Sequence, residues 1–303
     1  MNEIMPFLEN VLRGKNVSEE RKKEVAHHYE MFGGVSPINA QNRELIALLK
    51  KKFETENIDL PIFWGNRNWS PYLKDAFQEM KTAGVSNVLA YFTSAYGSYS
   101  GCRQYFENIA DAQKKTGTED IHVERLPLFF DHPDFIQVNV QNIQSQMQLA
   151  SDEVHLAFTA HSIPVSMTQT SPYLTQLRQA CELVARKVGI QSWELVYQSR
   201  SGPPQVPWLE PDICDHLEAI AKKGVREVII SPIGFVSDHM EVKYDLDVEA
   251  KQKAGQLGIK MYRAASAGND ALMIDMITSM VRDRIQNQKI FACKSDCCPN
   301  PRR

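Results

Sequence analysis

The stretch "WELVYQSRSGPPQVPWLEPDICDHLEAIAKKGVREVIISPIGFV", residues 193–236, decides the fold. Residues 193–199 are a short apolar run broken by a Ser-Gly-Pro-Pro cluster, as a strand ending in a loop would be. Residues 211–224 carry apolar side chains at helical spacing and stop at a glycine. Residues 226–236 are strand-like again. Strand, helix and strand in this order form a parallel βαβ unit, which is right-handed and leaves a helix covering the sheet.

The pattern extends in both directions. Residues 154–160 ("VHLAFTA") read as a strand, 171–189 as a helix stopping at Gly189, 259–265 ("IKMYRAA") as a strand, and about Asn269 to Gln288 as a last helix. Upstream, 59–66 ("DLPIFWGN"), 86–93 ("SNVLAYFT") and 122–130 ("HVERLPLFF") read as strands. Helices are expected from Ser70, after Gly101 and from about His132 to Ala150. The expected fold class is α/β, with two Rossmann-like, doubly wound parallel-sheet domains over 1–150 and 151–303. The first half opens on two helical segments, 5–14 and 18–34, with no strand before them. A parallel domain normally starts on a strand, so the first strand reads as missing. Either residue 1 lies downstream of the true start, or the chain is shorter and its first sheet has an open edge.

Composition narrows the function. The chain has 303 residues, 43% of them hydrophobic, and a net charge of −3. That charge gives no pull toward nucleic acid or a membrane surface. No apolar run reaches the roughly 18–20 residues of a membrane span, and the N-terminus lacks the pattern of a signal peptide. The reading is a soluble, cytoplasmic protein without a membrane anchor. Six cysteines are present. Cys102, Cys181 and Cys214 are isolated, while Cys293, Cys297 and Cys298 cluster in the tail "FACKSDCCPNPRR". In a reducing compartment such a cluster points to metal more than to a disulfide. Neither G-x-G-x-x-G nor a P-loop occurs, which removes the usual dinucleotide and nucleoside-phosphate signatures.

In open parallel sheets ligands bind beyond the carboxyl ends of the strands. Four segments there carry reactive side chains: 93–102, 159–164 ("TAHSIP"), 197–211 and 234–241 ("GFVSDHME"). They are expected to converge on one cleft. His161 is either a turn-capping residue or a base or metal ligand, since an imidazole titrates near neutrality. Glu241, Asp245 and Glu249 recur every fourth residue and line one helix face. A solvated surface face is the bland alternative. Few cations share this face, however, and it begins at a strand's carboxyl end. Imidazole plus carboxylate suits a borderline divalent ion such as Fe(II), and the row suits a path for a hydrated cation or for protons. Crowding should raise at least one of these carboxyl pKa values. His27 and His28 read as surface or pocket-lining. Tyr29, Phe129, Phe130, Tyr197, Trp208 and Phe235 lie near the proposed cleft. Most such aromatics are core, but Trp208, in a proline-rich loop, would wall a large flat ligand.

The segments "FTAHSIP" (158–164), "YQSRSGPPQVPWLEP" (197–211), "GFVSDHMEVKYDLDVE" (234–249) and "HHYEMFGGVSPIN" (27–39) resemble the ferrochelatases over nearly the whole chain. The resemblance implies two similar domains around a porphyrin cleft, and insertion of Fe(II) into protoporphyrin IX or coproporphyrin III in haem biosynthesis. It implies that His161 and Glu241 face the porphyrin centre and handle the metal, with Asp245 and Glu249 as an acidic line behind them. Asp238 and His239 would support that region. Tyr29, Ser36 and Trp208, with Phe130 beside them, would contact the porphyrin, and Arg21 a propionate. The family usually starts with a strand and loop that lie before residue 1 here. Some members carry a [2Fe–2S] cluster on three tail cysteines and one internal cysteine. Cys293, Cys297 and Cys298 match the tail set, but Val138 stands where animal members have the internal one. Cys102 is then the expected fourth ligand, with Cys181 and Cys214 behind it; a free-thiol tail or zinc are the alternatives. The polar segment 9–25 replaces the apolar lip of membrane-bound members. The porphyrin stays open at this stage, with coproporphyrin favoured, and so does the oligomeric state. Competing readings are a cobalt or nickel chelatase, a porphyrin- or haem-binding module without turnover, and a bilobed small-ligand sensor.

Overall fold

The computed structural model of the chain describes residues 4–11, 19–151, 153–287 and 297–300. Its strands are β1 (Asn87–Ala90), β2 (His122–Arg125), β3 (His155–His161), β4 (Trp193–Gln198), β5 (Glu227–Ser231) and β6 (Lys260–Arg263). β1 and β2 form one parallel pair, and the others form a parallel sheet in the order β4-β3-β5-β6. The βαβ reading holds for 193–236, with β4 and β5 on either side of β3 and the helix Ile213–Lys222 between them in sequence.

Both faces of the larger sheet are covered, as parallel sheets require. Leu156, Phe158 and Ala160 point into a core shared with Leu177, Cys181 and Ile136, while Ala157, Val196, Val228 and Ile230 point into a second with Leu217, Val242 and Leu246. Period-2 alternation along β3 produces this division. The larger core also contains Leu49, Phe53 and Phe135 of the first half and Met276 of the last helix, Ala271–Asn287. One apolar core therefore runs through both halves. Polar ties reinforce it. Tyr96 donates its hydroxyl to the Ile233 carbonyl at 2.9 Å, and Arg284 grips the buried Glu124 carboxylate through Nε and Nη2.

Two sequence expectations need correction. Residues 59–66 form no strand, and the described part of the first sheet has only two strands. Pro61 has no N–H for a ladder, and among the described residues no strand pairs with this segment. The acidic helix is also not a continuous α-helix. It is α-helical over Met240–Tyr244, a π-helix over Asp245–Ala250, and α-helical again over Lys251–Gln256. Among the described residues no helix is long and apolar enough to cross a membrane.

Candidate active site

Three strand ends build the site. β3 delivers His161 at its last position, paired in register with Gln198 at the end of β4. The chain leaving β5 then crosses over the end of β3. Gly234 donates its N–H to the Thr159 carbonyl at 3.0 Å, and a Cβ at 234 would lie 2.5 Å from the Ala160 Cβ. Only glycine permits that approach. The crossing carries residues 238–241 to the rim beside His161.

The His161 ring is oriented by its neighbours. Nδ1 donates to the Ser162 carbonyl at 2.5 Å, and a carbonyl can only accept, so the proton of the neutral ring sits on Nδ1. Nε2 then presents a lone pair, 3.5 Å from Glu241 Oε2. Two acceptors face each other across a gap that suits a proton or a cation. The buried Tyr173 hydroxyl donates to the His161 carbonyl at 3.0 Å. Ser162 ties its Oγ to the Leu209 carbonyl at 2.8 Å, which sews the Trp208 loop to the strand end. Trp208 bridges back to Pro164, and its indole lies flat against Gly202, where a Cβ would meet it at 2.3 Å.

Asp245 stands next in the acidic line. It accepts hydrogen bonds from Ser199 Oγ and, at 3.3 Å, from Gln198 Nε2. Burial pushes its carboxyl up to about 7, and the Glu241 and Glu249 charges add to that, against the two hydrogen bonds. The expected raised carboxylate is thus Asp245. The π-turn bears on the alignment. Two four-residue steps of an α-helix would rotate Glu249 about 80° from Glu241. In the wider i→i+5 turn a four-residue step falls short of a full turn, so the second step offsets the first. The ridge is straighter than an α-helix would make it. At its outer end Glu249 neighbours Cys214, whose thiol is pushed up to about 12 by burial and by the Asp212 and Glu249 charges.

The supporting residues divide clearly. Asp238 is held by Arg263 through two hydrogen bonds of 2.7 and 3.1 Å; burial raises its carboxyl, but the guanidinium overcomes this and holds it below the usual range. His239 is pulled below its ordinary value by burial, and its ring meets Phe235 edge-on at 5.1 Å. Tyr29 reaches the site from the helix Glu19–Met31. Burial and the nearby Glu241 push its phenol upward. On the same helix His28 stacks on Tyr244 at 3.4 Å, so it packs against the acidic segment, whereas His27 is exposed beside Glu30. The Arg21 side chain lies outside the described ones. Ser36 accepts from the Ile38 N–H at 3.4 Å, and Phe130 packs near Tyr96. Sequence reading missed Gln198, Ser199, Tyr173 and Arg263. Only the "YQS" at a strand end signalled any of them.

Other candidate ligands lie elsewhere. His155 and His216 meet Nε2 to Nε2 at 3.0 Å, and His155 opens β3, the strand that His161 closes. Cys102 is buried in a π-turn, Tyr99–Arg103, with the described tail beside it. Arg103 donates to the Cys297 carbonyl at 2.9 and 3.1 Å and reaches its Sγ at 3.8 Å, and Asn300 donates to the Tyr99 hydroxyl. Cys293 lies outside the described residues. Among the described residues no group of three or more metal-ligating side chains is in binding arrangement.

An imidazole and a row of carboxylates thus stand at the carboxyl edge of the larger parallel sheet. The fold is similar to that of SirB from Bacillus subtilis with Fe3+ (TM-score 0.60, 10% identity, 84% of this chain and 94% of that one). It is also similar to CbiX, described as the terminal enzyme of sirohaem biosynthesis in denitrifying bacteria (TM-score 0.54, 16% identity, 81% and 92%). The family model for ferrochelatase matches residues 1–285. The chain is 49% identical to a ferrochelatase of Rhodopirellula baltica, covering 100% of this chain and 91% of the relative. It is 43% identical to a coproporphyrin III ferrochelatase of Streptomyces griseus, covering 98% and 89%. The chain belongs to the ferrochelatase family, the enzymes that insert ferrous iron into a porphyrin in haem biosynthesis.

Proposed function

We propose that this enzyme inserts Fe(II) into coproporphyrin III, held in a cleft between residues 1–150 and 151–303, with His161 as the base. The observation that carries the reading is the 3.5 Å approach of His161 Nε2 to Glu241, with Nδ1 committed to a carbonyl. Pyrrole N–H groups are very weak acids, and a flat ring hides the nitrogen lone pairs. Binding energy from the rest of the macrocycle bends it and exposes them. Tyr29 and Trp208 form walls for that binding, with Ser36 and Phe130 further contacts and Arg21 set for a propionate. His161 Nε2 accepts a pyrrole proton, and Glu241 stabilises the imidazolium. Asp245, balanced near pH 7, takes the proton on, and Glu249 releases it to solvent. Freed of its proton, the pair offers one nitrogen and one carboxylate to ferrous iron. Asp238 and His239 hold the segment that carries Glu241. The net charge and the polar segment 9–25 support a cytoplasmic reaction without a membrane anchor.

Coproporphyrin III is chosen because relatives at 43% and 45% identity carry that name. Its two extra propionates can each gain a charge-assisted hydrogen bond of about 1.5–3 kcal/mol. Anaerobic Fe(II) insertion should therefore show kcat/KM at least about tenfold higher for coproporphyrin III than for protoporphyrin IX. Equal or reversed preference would remove the substrate assignment. Porphyrin binding without insertion would favour a non-catalytic binder.

A second reading concerns the tail: a [2Fe–2S] cluster on Cys102, Cys293, Cys297 and Cys298. The donor chemistry fits, because Cys102 is buried directly before the arginine that grips Cys297, and a guanidinium favours thiolates beside it. A bound cluster would supply a sulfur-bridged iron centre, which would tie the tail to the first half. Purified protein should contain about two iron and two sulfide per chain with visible absorbance, and Cys102→Ser should lose both. Zinc without sulfide in the wild type would replace the cluster with a zinc site.

A further inference from the structure

The acidic segment is seated on the second core through Val242, Leu246 and Ala250, but its helical pieces are too short to hold their rotation by backbone alone. Its first α-helical piece has only five residues, far below the length at which a helix persists alone, and the N-cap residue His239 makes no side-chain capping bond. A π-turn follows at once. Five carboxylates lie between 238 and 249, namely Asp238, Glu241, Asp245, Asp247 and Glu249. Burial of Val242, Leu246 and Ala250 sets the inward side of the segment; polar contacts then sort the carboxylates on its remaining faces.

We infer that Arg263, at the end of edge strand β6, is a positioning residue for iron insertion. It clamps Asp238 and Asp247 and so leaves Glu241 turned toward His161 and Asp245 toward Gln198 and Ser199. The guanidinium is filled in a specific way. Nη1 and Nη2 bind the two Asp238 oxygens at 3.1 and 2.7 Å, and Nε binds Asp247 Oδ1 at 2.7 Å. Nη2 also approaches Asp247 Oδ2 at 3.4 Å, and Nη1 donates to the Ala264 carbonyl at 3.1 Å. The clamped carboxylates bracket the pair that acts. Asp238 lies three residues before Glu241, and Asp247 lies two after Asp245, inside the π-turn. The acids are thereby sorted by direction: two on the arginine, Glu241 beside the imidazole, and Asp245 on Gln198 and Ser199. A planar fork fixes rotation about the helix axis, which an ammonium as a point charge does not.

The inference rests on His161 and Glu241 as the reacting pair, and the His161→Ala variant tests that reading separately. Arg263→Gln should lower kcat about 10- to 100-fold, the range for displaced catalytic groups, while porphyrin Kd from fluorescence quenching stays within about twofold. Arg263→Lys should do no better than Gln within about threefold. Guanidinium ion added to Arg263→Gly should restore part of kcat. Asp247→Asn removes one anchor, needs no loss of packing, and should give an intermediate kcat with unchanged porphyrin Kd. If Arg263→Lys regains wild-type kcat, charge alone suffices and the clamp is refuted. Full kcat with a lower Tm in the folded variants would reduce Arg263 to a structural role. If the Arg263 variants do not fold, Asp247→Asn decides by the same measure.

Discussion

Iron insertion by His161→Ala is expected to fall by about 10²- to 10⁴-fold, the usual contribution of a positioned general base. Porphyrin affinity should stay within a few-fold of wild type, because the walls proposed at Tyr29 and Trp208 are untouched. The split between kcat and binding matters more than the size of the loss. Among the described residues no equivalent base stands ready. His239 is half-buried and disfavours the charged form, His28 is stacked on Tyr244, and His155 and His216 bond to each other where β3 begins. Glu241 would persist without the imidazole proposed to take the first proton. Added imidazole should recover part of the rate if a proton acceptor is what was lost. A variant within tenfold of wild type would show that another group accepts the pyrrole protons. Tyr173 and Ser162 then gain meaning as controls, since both act on the backbone that aims His161.

Much of this architecture was written in local patterns. Strand–helix alternation and glycine stops gave the larger sheet, and its two-faced burial follows from the apolar runs of β3 and β5. His161 and the acids at 241, 245 and 249 were legible because strand ends and four-residue spacings are one-dimensional features. The shape of the acidic helix was not. A π-turn changes hydrogen-bond register without changing composition, so periodicity reads straight through it. The contacts that orient the site were equally invisible. Gln198 meets Asp245 because β4 lies beside β3, and Arg263 meets Asp238 because β6 lies beside β5. Strand order is a tertiary fact. Ser199 adopts φ of 60°, which a non-glycine residue holds only when its surroundings enforce it, here with Oγ on Asp245. Residues 59–66 misled in the other direction, since an apolar segment with a proline is a poor strand without a neighbour.

Asp245→Asn should make the protein more stable at pH 8 and slower in turnover. The carboxyl ionises near pH 7 when folded, against an ordinary value of 3.8. Between these values the folded chain binds more protons than the unfolded one, so stability falls as pH rises. The cost builds from about pH 4 to about pH 7 and is constant above that. Each tenfold change in an ionisation constant corresponds to about 1.4 kcal/mol; with partial solvent screening the whole effect is on the order of 2–4 kcal/mol. Asparagine removes the charge yet keeps a carbonyl oxygen for the Ser199 hydroxyl and the Gln198 amide. Denaturation at pH 8 should therefore show the variant ahead by that amount, with the difference vanishing below pH 4. The catalytic effect runs the other way. A carboxyl poised near neutrality accepts a proton from the His161 and Glu241 pair only when ionised, so wild-type kcat should rise with pH through about 7. Asparagine cannot accept, and that limb should disappear while porphyrin affinity holds. Unchanged stability at pH 8 would mean that the buried carboxylate is solvated better than its surroundings suggest. An unchanged pH profile would take Asp245 out of the proton path and leave the acidic line to handle iron alone.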